Sequence, residues 1–103
     1  MIKSAGNRIS PQEVEEAALA TGLVAEAVAL GVPDARLGQA VHLVVRGDGD
    51  AAARAELLKR LQRDLPNFMQ PQMIHWREAM PLNPNGKIDR TALQHELNQE
   101  FAR

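Results

Sequence analysis

The sequence has 103 residues, of which 45% are hydrophobic and 24% charged, a balance typical of one small globular domain with a modest core. Its formal net charge of −1 gives no electrostatic reason to expect binding to nucleic acid or to an anionic membrane. The absence of cysteine excludes disulfides, thiolate metal sites and a cysteine nucleophile, and one Trp, two Phe and no Tyr are too few rings for a sheet that stacks bases.

The first predicted elements are a glycine-bent strand or hairpin over residues 2–9 and a helix that begins after Ser10. Ser10 is a typical N-cap, Pro11 suits the first helical position, and Glu13 stands where a capping box has its acid. Apolar residues then recur at helical spacing as far as Gly22, where we expect the helix to stop.

Two strands follow, and in each of them apolar side chains alternate. The first begins at Leu23 and closes at Asp34; its large residues face one way and its alanines the other, which would let a helix lie close to the sheet. The second runs from Gln39 to Arg46, after Gly38. The large face comprises Val24, Val28, Leu30 and Val32, and the small face Ala25, Ala27 and Ala29.

The second half of the chain predicts two more helices and a third strand. Asp50 can cap a helix that ends at Pro66, Met73 to Arg77 forms the strand, and Asp89 can cap the last helix. The predicted buried stripes are Leu57, Leu58, Leu61 and Leu65 on the second helix, and Leu93, Leu97 and Phe101 on the last. The order β-α-β-β-α-β-α predicts an α+β fold, a three-stranded sheet with an N-terminal strand or hairpin and three packed helices.

Few residues stand out as chemical candidates. Lys87 follows an Asn-Gly turn, but a solvated lysine beside a hairpin turn is an ordinary surface feature. The same surface reading applies to Lys3 and Arg8, and backbone geometry accounts for Gly6. The histidines have no ligand spacing and predict no metal site; they are His42, His75 and His95. No apolar run is long enough to span a bilayer and no signal peptide is evident, so we expect a cytoplasmic protein.

Four segments occur together in a specific order along nearly the whole chain. They are Met1–Glu15, Leu30–Asp34 with Leu37–Val41, Leu65–Pro71, and Leu82–Arg90. In combination they resemble the C-terminal domain of AMP-forming adenylating enzymes, which include acyl-CoA synthetases, luciferase and the adenylation domains of peptide synthetases. The first and last segments are most similar to acyl-CoA ligases of the kind found in fatty acid metabolism, with a peptide-synthetase domain as the alternative.

The resemblance implies a mobile lid that spans residues 1–103, begins just after the interdomain hinge, and serves two half-reactions. In the first, Lys87 would enter the active site while a small-molecule carboxylic acid attacks the α-phosphate of ATP. In the second, the loop around Gly6 would help line the path of a thiol, coenzyme A or carrier-protein pantetheine, with Lys3 and Arg8 as anion contacts.

The same resemblance implies that the chain needs a partner. The ATP loop, the acyl pocket and the Mg²⁺ site would belong to an N-terminal adenylating domain, acting in cis or in trans, and we expect no activity from this chain alone. A non-catalytic interaction module of the same fold is the competing hypothesis. Nucleic-acid binding through the basic face of the second helix is disfavoured by the net charge.

Overall fold

The structure is a computed structural model, and it describes residues 1–102. Five strands and three α-helices follow the predicted order, and a short 3₁₀ turn over Asn67–Met69 lies between the second helix and the last strand. The strands are β1 (Ile2–Ser4), β2 (Asn7–Ile9), β3 (Glu26–Asp34), β4 (Gly38–Arg46) and β5 (Met73–Arg77). The helices are α1 (Pro11–Leu19), α2 (Ala51–Asp64) and α3 (Arg90–Phe101).

The strands form one sheet, in the order β2-β1-β4-β3, with β5 also paired to β4. The pairs β1–β2, β1–β4 and β3–β4 are antiparallel, and β5 runs parallel to β4. The sheet therefore has five strands rather than the three expected from the sequence. The difference arises because Ser4 pairs with Gly38, so the N-terminal hairpin extends the main sheet instead of lying apart from it.

Helices cover both faces of this sheet. On one face α1 packs against β3, where Ala27 and Ala29 are buried, and α2 packs beside α1 in the same core cluster. The predicted alanine face thus admits a helix at Ala27 and Ala29, but Ala25 is exposed and Val24 lies in this same cluster, because β3 begins only at Glu26. On the other face Leu93 and Leu97 of α3 pack against the larger side chains of β3, Val28, Leu30 and Val32. The α+β class is confirmed, as a central sheet between two helical layers.

All three predicted helix starts are confirmed by side-chain caps. The Ser10 hydroxyl accepts a hydrogen bond from the Glu13 amide at 3.4 Å, and the Asp50 carboxylate accepts one from the Ala53 amide at 2.8 Å. The Asp89 carboxylate accepts one from the Ala92 amide at 2.9 Å at the start of α3, whose first residue, Arg90, comes three residues after Lys87. These oxygens satisfy amides that have no partner within the helix, and this fixes where each helix begins.

One position of the leucine stripe on α2 was predicted wrongly. Leu57 and Leu61 are completely buried, whereas Leu58 is 45% exposed. One residue further along a helix is a rotation of about 100°, so Leu58 leaves the buried stripe. It lies at the edge of the sheet, where it shares a shallow surface depression with Met73 and Trp76.

Candidate functional site

Lys87 lies on a short hairpin between β5 and α3. The Gly86 amide donates to the Asn83 carbonyl at 2.9 Å, and the Asn83 amide donates to the Lys87 carbonyl at 2.7 Å. Only Gly86 has a positive φ in this turn, +79°, so glycine is needed there, whereas Asn85 is not left-handed. Outside the turn, the Leu82–Ile88 β-bridge and a hydrogen bond from the Asp89 amide to the Pro81 carbonyl at 2.8 Å hold the two arms together.

The Asn83 side chain forms hydrogen bonds to the backbone within the same turn. Its Oδ1 accepts hydrogen bonds from the amides of Asn85 at 2.9 Å and Lys87 at 3.1 Å. An asparagine oxygen that bonds to the backbone two residues ahead is the usual Asx-turn arrangement. The Lys87 side chain, by contrast, is exposed, and none of the ion pairs within residues 1–102 includes it.

The base of the Lys87 hairpin is tied to the core by one charged residue. The Arg90 guanidinium donates to both carboxylate oxygens of Glu15, at 2.8 and 2.7 Å. Glu15 is only 7% exposed, and its Oε2 also accepts from the Ala29 amide of β3 at 2.8 Å. Arg90 therefore joins the start of α3 to α1 and to the middle of the sheet, while compensating a buried negative charge.

The candidate residues near the N-terminus form a second, separate site on the β1–β2 hairpin. Ala5 and Gly6 occupy its two-residue turn with φ of +51° and +83°, the signs that a type I′ hairpin turn requires. Lys3 and Arg8 face each other directly across the two strands, and both are exposed. Like charges opposite one another repel, so the arrangement favours an anion between or above them.

The two sites lie at opposite ends of the sheet. The Gly6 turn is attached where β4 begins, because the Ala5 amide donates to the Leu37 carbonyl at 2.8 Å. Gly86, in the turn before Lys87, shares a surface depression with Glu26 and Arg46, at the other end of β3 and β4. Strand β4 has nine residues and spans about 26 Å at the usual rise per residue. The structure thus brings Lys3, Gly6 and Arg8 together and leaves Lys87 apart from them.

Two histidines that look unrelated in sequence meet in the fold. His42 Nδ1 lies 2.9 Å from His75 Nε2, the rings are stacked, and Phe101 packs against both. Burial lowers the pKa of His42, and the neighbouring His75 lowers it further, whereas Asp34 opposes the change. Burial likewise lowers the pKa of His75, with Arg77 acting in the same direction and Glu100 and Glu96 against it. Only the parallel pairing of β5 with β4 creates this contact, and the sequence carries no local signal of it.

Neither a metal centre nor a membrane helix is found in the part of the chain that the structure describes. Within residues 1–102 no three side chains among His, Asp and Glu are grouped as metal ligands would be. None of the three α-helices in this range is long and apolar enough to cross a bilayer.

Comparison with known proteins gives one consistent family. The family model described as "AMP-binding enzyme C-terminal domain" matches residues 13–87. The chain is 40% identical over 102 residues to tyrocidine synthase 2 of Brevibacillus parabrevis, covering 96% of this chain and 3% of that protein. It is 36% identical over 98 residues to acetyl-coenzyme A synthetase 2 of Pseudomonas putida, covering 91% of this chain and 15% of that protein.

Solved structures agree with the sequence matches. The ATP-bound MatB of Rhodopseudomonas palustris superposes with a TM-score of 0.88 at 26% identity, over 98% of this chain and 20% of that one. The chain thus spans no more than about a fifth of the length of these relatives. The predicted resemblance is confirmed, and this chain belongs to the family of AMP-binding enzyme C-terminal domains, as found in acyl-CoA ligases and peptide-synthetase adenylation domains.

Proposed function

We propose that residues 1–103 act as the mobile C-terminal domain of an AMP-forming acyl-CoA ligase, beginning just after the hinge to an N-terminal adenylating domain. The observation that carries this proposal is the separation of Lys87 and Gly6 at opposite ends of β4. One active site cannot receive both ends at once. A rotation of the domain between half-reactions would present first one end and then the other.

In the first half-reaction Lys87 assists attack of a carboxylate on the α-phosphate of ATP. Its exposed ammonium, carried on a flexible stem, reaches in and offsets the negative charge of the carboxylate and the phosphate. A charged donor aimed at the transition state of phosphoryl chemistry contributes about 3 to 4 kcal/mol. By the resemblance to AMP-forming ligases, the ATP loop, the acyl pocket and the Mg²⁺ ligands would belong to the N-terminal adenylating domain.

In the second half-reaction the Gly6 turn lines the path of the thiol. No heavy atom lies within 4 Å of where a Cβ would stand on Gly6, so the turn leaves open space beside the backbone. Lys3 and Arg8, paired on the adjoining strands, bind the phosphate groups of coenzyme A. The substrates are then a small carboxylic acid, ATP and coenzyme A, and we expect the enzyme to work in the cytoplasm.

The decisive experiment measures the two half-reactions separately, with the chain assayed together with its adenylating domain. Lys87→Ala is expected to slow pyrophosphate release by about 10²-fold or more, since it removes the charged donor. Thioester formation from a preformed acyl-adenylate should continue at its normal rate. Lys59→Ala, on the exposed face of α2, is the matched control and should change neither rate. An undiminished adenylation rate in Lys87→Ala would falsify the assignment.

A lid of a peptide-synthetase adenylation domain is the second candidate, favoured by the 40% identity to tyrocidine synthase 2. It differs in the acceptor, a pantetheine attached to a carrier protein rather than free coenzyme A. Comparing thioester formation with the two acceptors decides between them. Turnover with coenzyme A alone supports the ligase, and a requirement for a carrier protein supports the alternative.

A further inference from the structure

Asn83 holds the backbone of Lys87 from both sides. The backbone amide of Asn83 donates to the Lys87 carbonyl at 2.7 Å, and the side-chain Oδ1 of Asn83 accepts from the backbone amide of Lys87 at 3.1 Å. The Asn83 carbonyl also accepts from Gly86 at 2.9 Å, and Oδ1 accepts from Asn85 at 2.9 Å. One residue therefore supplies four hydrogen bonds to the three residues that end at Lys87.

Little else in the domain holds this part of the chain. Residues 84–87 are all exposed, and no heavy atom lies within 4 Å of a Cβ built on Gly86. The Leu82–Ile88 bridge restrains the arms below the turn through the bond from the Asn83 backbone amide to the Lys87 carbonyl and a second bond, at 2.8 Å, from the Asp89 amide to the Pro81 carbonyl. Neither of these two bonds uses the backbone amide of Lys87. Because the side chains of residues 84–87 are not packed against the core, the conformation of the turn depends on its hydrogen bonds. The side-chain oxygen of Asn83 accepts two of these bonds, from the backbone amides of Asn85 and Lys87.

We propose that Asn83 is the positioning residue for Lys87. This inference rests on the proposed function, in which Lys87 must arrive at the α-phosphate of ATP in a defined direction. A flexible lysine side chain on an ordered backbone starts each approach from the same point, whereas a disordered turn would spread its ammonium over many positions. Misplacing a reacting group by about 1 Å can cost as much as 10²-fold in rate.

A pair of variants of equal shape isolates the side-chain oxygen. Asn83→Thr keeps an oxygen that can accept from the backbone two residues ahead, and Asn83→Val has the same branching without it. Both residues suit the extended backbone that a position before Pro84 prefers. Any difference between them therefore reports the hydrogen bonds rather than volume or backbone propensity.

The expected result is a selective loss. Asn83→Val should lower kcat for pyrophosphate release about tenfold, with little change in the KM for ATP, and Asn83→Thr should recover most of the rate. Thioester formation from a preformed acyl-adenylate should be normal in both, which a general folding defect would not allow. In the 103-residue chain, the Lys87 amide should exchange with solvent faster in Asn83→Val than in Asn83→Thr.

The outcomes separate this inference from the function on which it rests. If Lys87→Ala slows adenylation but Asn83→Val matches the unaltered protein, the positioning role is wrong and the role of Lys87 stands. If Asn83→Val slows both half-reactions equally, the residue is merely structural and the inference is again overturned. If Lys87→Ala has no effect on adenylation, the proposed function and this inference fail together.

Discussion

The Gly6 and Lys87 turns have similar local sequences, a glycine next to exposed cationic residues, but different numbers of strand pairs stabilise them. Each contains a glycine with positive φ and presents cationic side chains to solvent. The Gly6 turn closes a ladder of three residue pairs that is itself attached to β4. The Lys87 turn closes a hairpin with one β-bridge, and Asn83 completes it. A turn signal in a sequence therefore does not reveal how firmly the fold holds the turn.

The difference suits the two proposed tasks. Lys3 and Arg8 stand side by side on paired strands, an arrangement that favours a fixed anion contact. Lys87 is exposed on a short hairpin whose arms are joined by one β-bridge, which suits a charge that enters a site and withdraws. Helix α3 connects the two ends, since Arg90 anchors its start and Phe101 packs on the histidine pair near its finish. Variants at these points can show whether the two ends behave independently.

The largest effect on stability is expected at the Arg90 anchor of the Lys87 end. Arg90→Met leaves the carboxylate of Glu15 buried with only the Ala29 amide as a partner, which should lower the free energy of unfolding by about 1 to 3 kcal/mol. Urea unfolding of the chain measures this loss. Adding Glu15→Gln should restore much of it, because the amide oxygen still accepts from Ala29 and no charge is stranded. Equal stability of Arg90→Met and the unaltered chain would contradict the anchoring role.

A smaller and more selective effect is expected from the glycines. Gly6, Gly22 and Gly86 all have positive φ and open space where a Cβ would stand, so alanine strains each by about 1 kcal/mol. Gly86→Ala should slow adenylation alone, and Gly6→Ala thioester formation alone. Gly22→Ala, beyond the end of α1, is the matched control with similar strain and no effect on either half-reaction. A shared slowing of both steps by Gly6→Ala and Gly86→Ala would show that the two ends are not distinct.

Much of this organisation could be predicted from the sequence because it rests on short-range chemistry. Ser10, Asp50 and Asp89 cap helices through neighbouring amides, and the alternation of large and small residues along β3 decides which helix packs on which face. The role of Lys87 is still a prediction, and it came from the resemblance, since a lysine after Asn-Gly is unremarkable by itself.

What the sequence could not reveal depends on pairing between distant segments. The extension of the sheet by the N-terminal hairpin needs Ser4 beside Gly38, and the histidine contact needs β5 parallel to β4 in one particular register. Leu58 fits the leucine stripe in sequence but lies half-exposed at the edge of the sheet. In each of these cases the result depends on which strands are neighbours and where the sheet ends. The spacing of residues along the chain does not predict either of these features.

Acidification should destabilise the C-terminal end of α3, near Phe101, without affecting its N-terminal end, near Arg90. The folded state lowers the pKa of His42 and His75, so the unfolded chain binds more protons below its own histidine pKa of about 6.5. The stabilising contribution is therefore complete above that pH and falls as the pH drops toward the folded-state values. Hydrogen exchange at pH 7.5 and pH 5 should show earlier loss of protection near Phe101 than near Arg90.

The matched variant for this pH effect is His75→Gln, which removes one imidazole and retains a hydrogen-bonding side chain. It should flatten the pH dependence of the unfolding midpoint between pH 5 and 7. His95→Gln, on the exposed surface of α3, should leave that dependence as it was. An identical pH profile for His75→Gln and the unaltered chain would exclude the histidine pair as its source.

The smallest effects are expected from the cations at the Gly6 end. Lys3→Ala relieves the repulsion from Arg8 directly opposite, so it should change the free energy of unfolding by no more than a few tenths of a kcal/mol, in the stabilising direction. It should also raise the KM for coenzyme A, more strongly at low salt than at high salt, because an exposed charge pair is screened. Adenylation should be unaffected, since the Lys87 end lies about 26 Å away along β4. A slowed adenylation step in Lys3→Ala would mean that one surface serves both half-reactions, and the separation of the two ends would then carry no functional meaning.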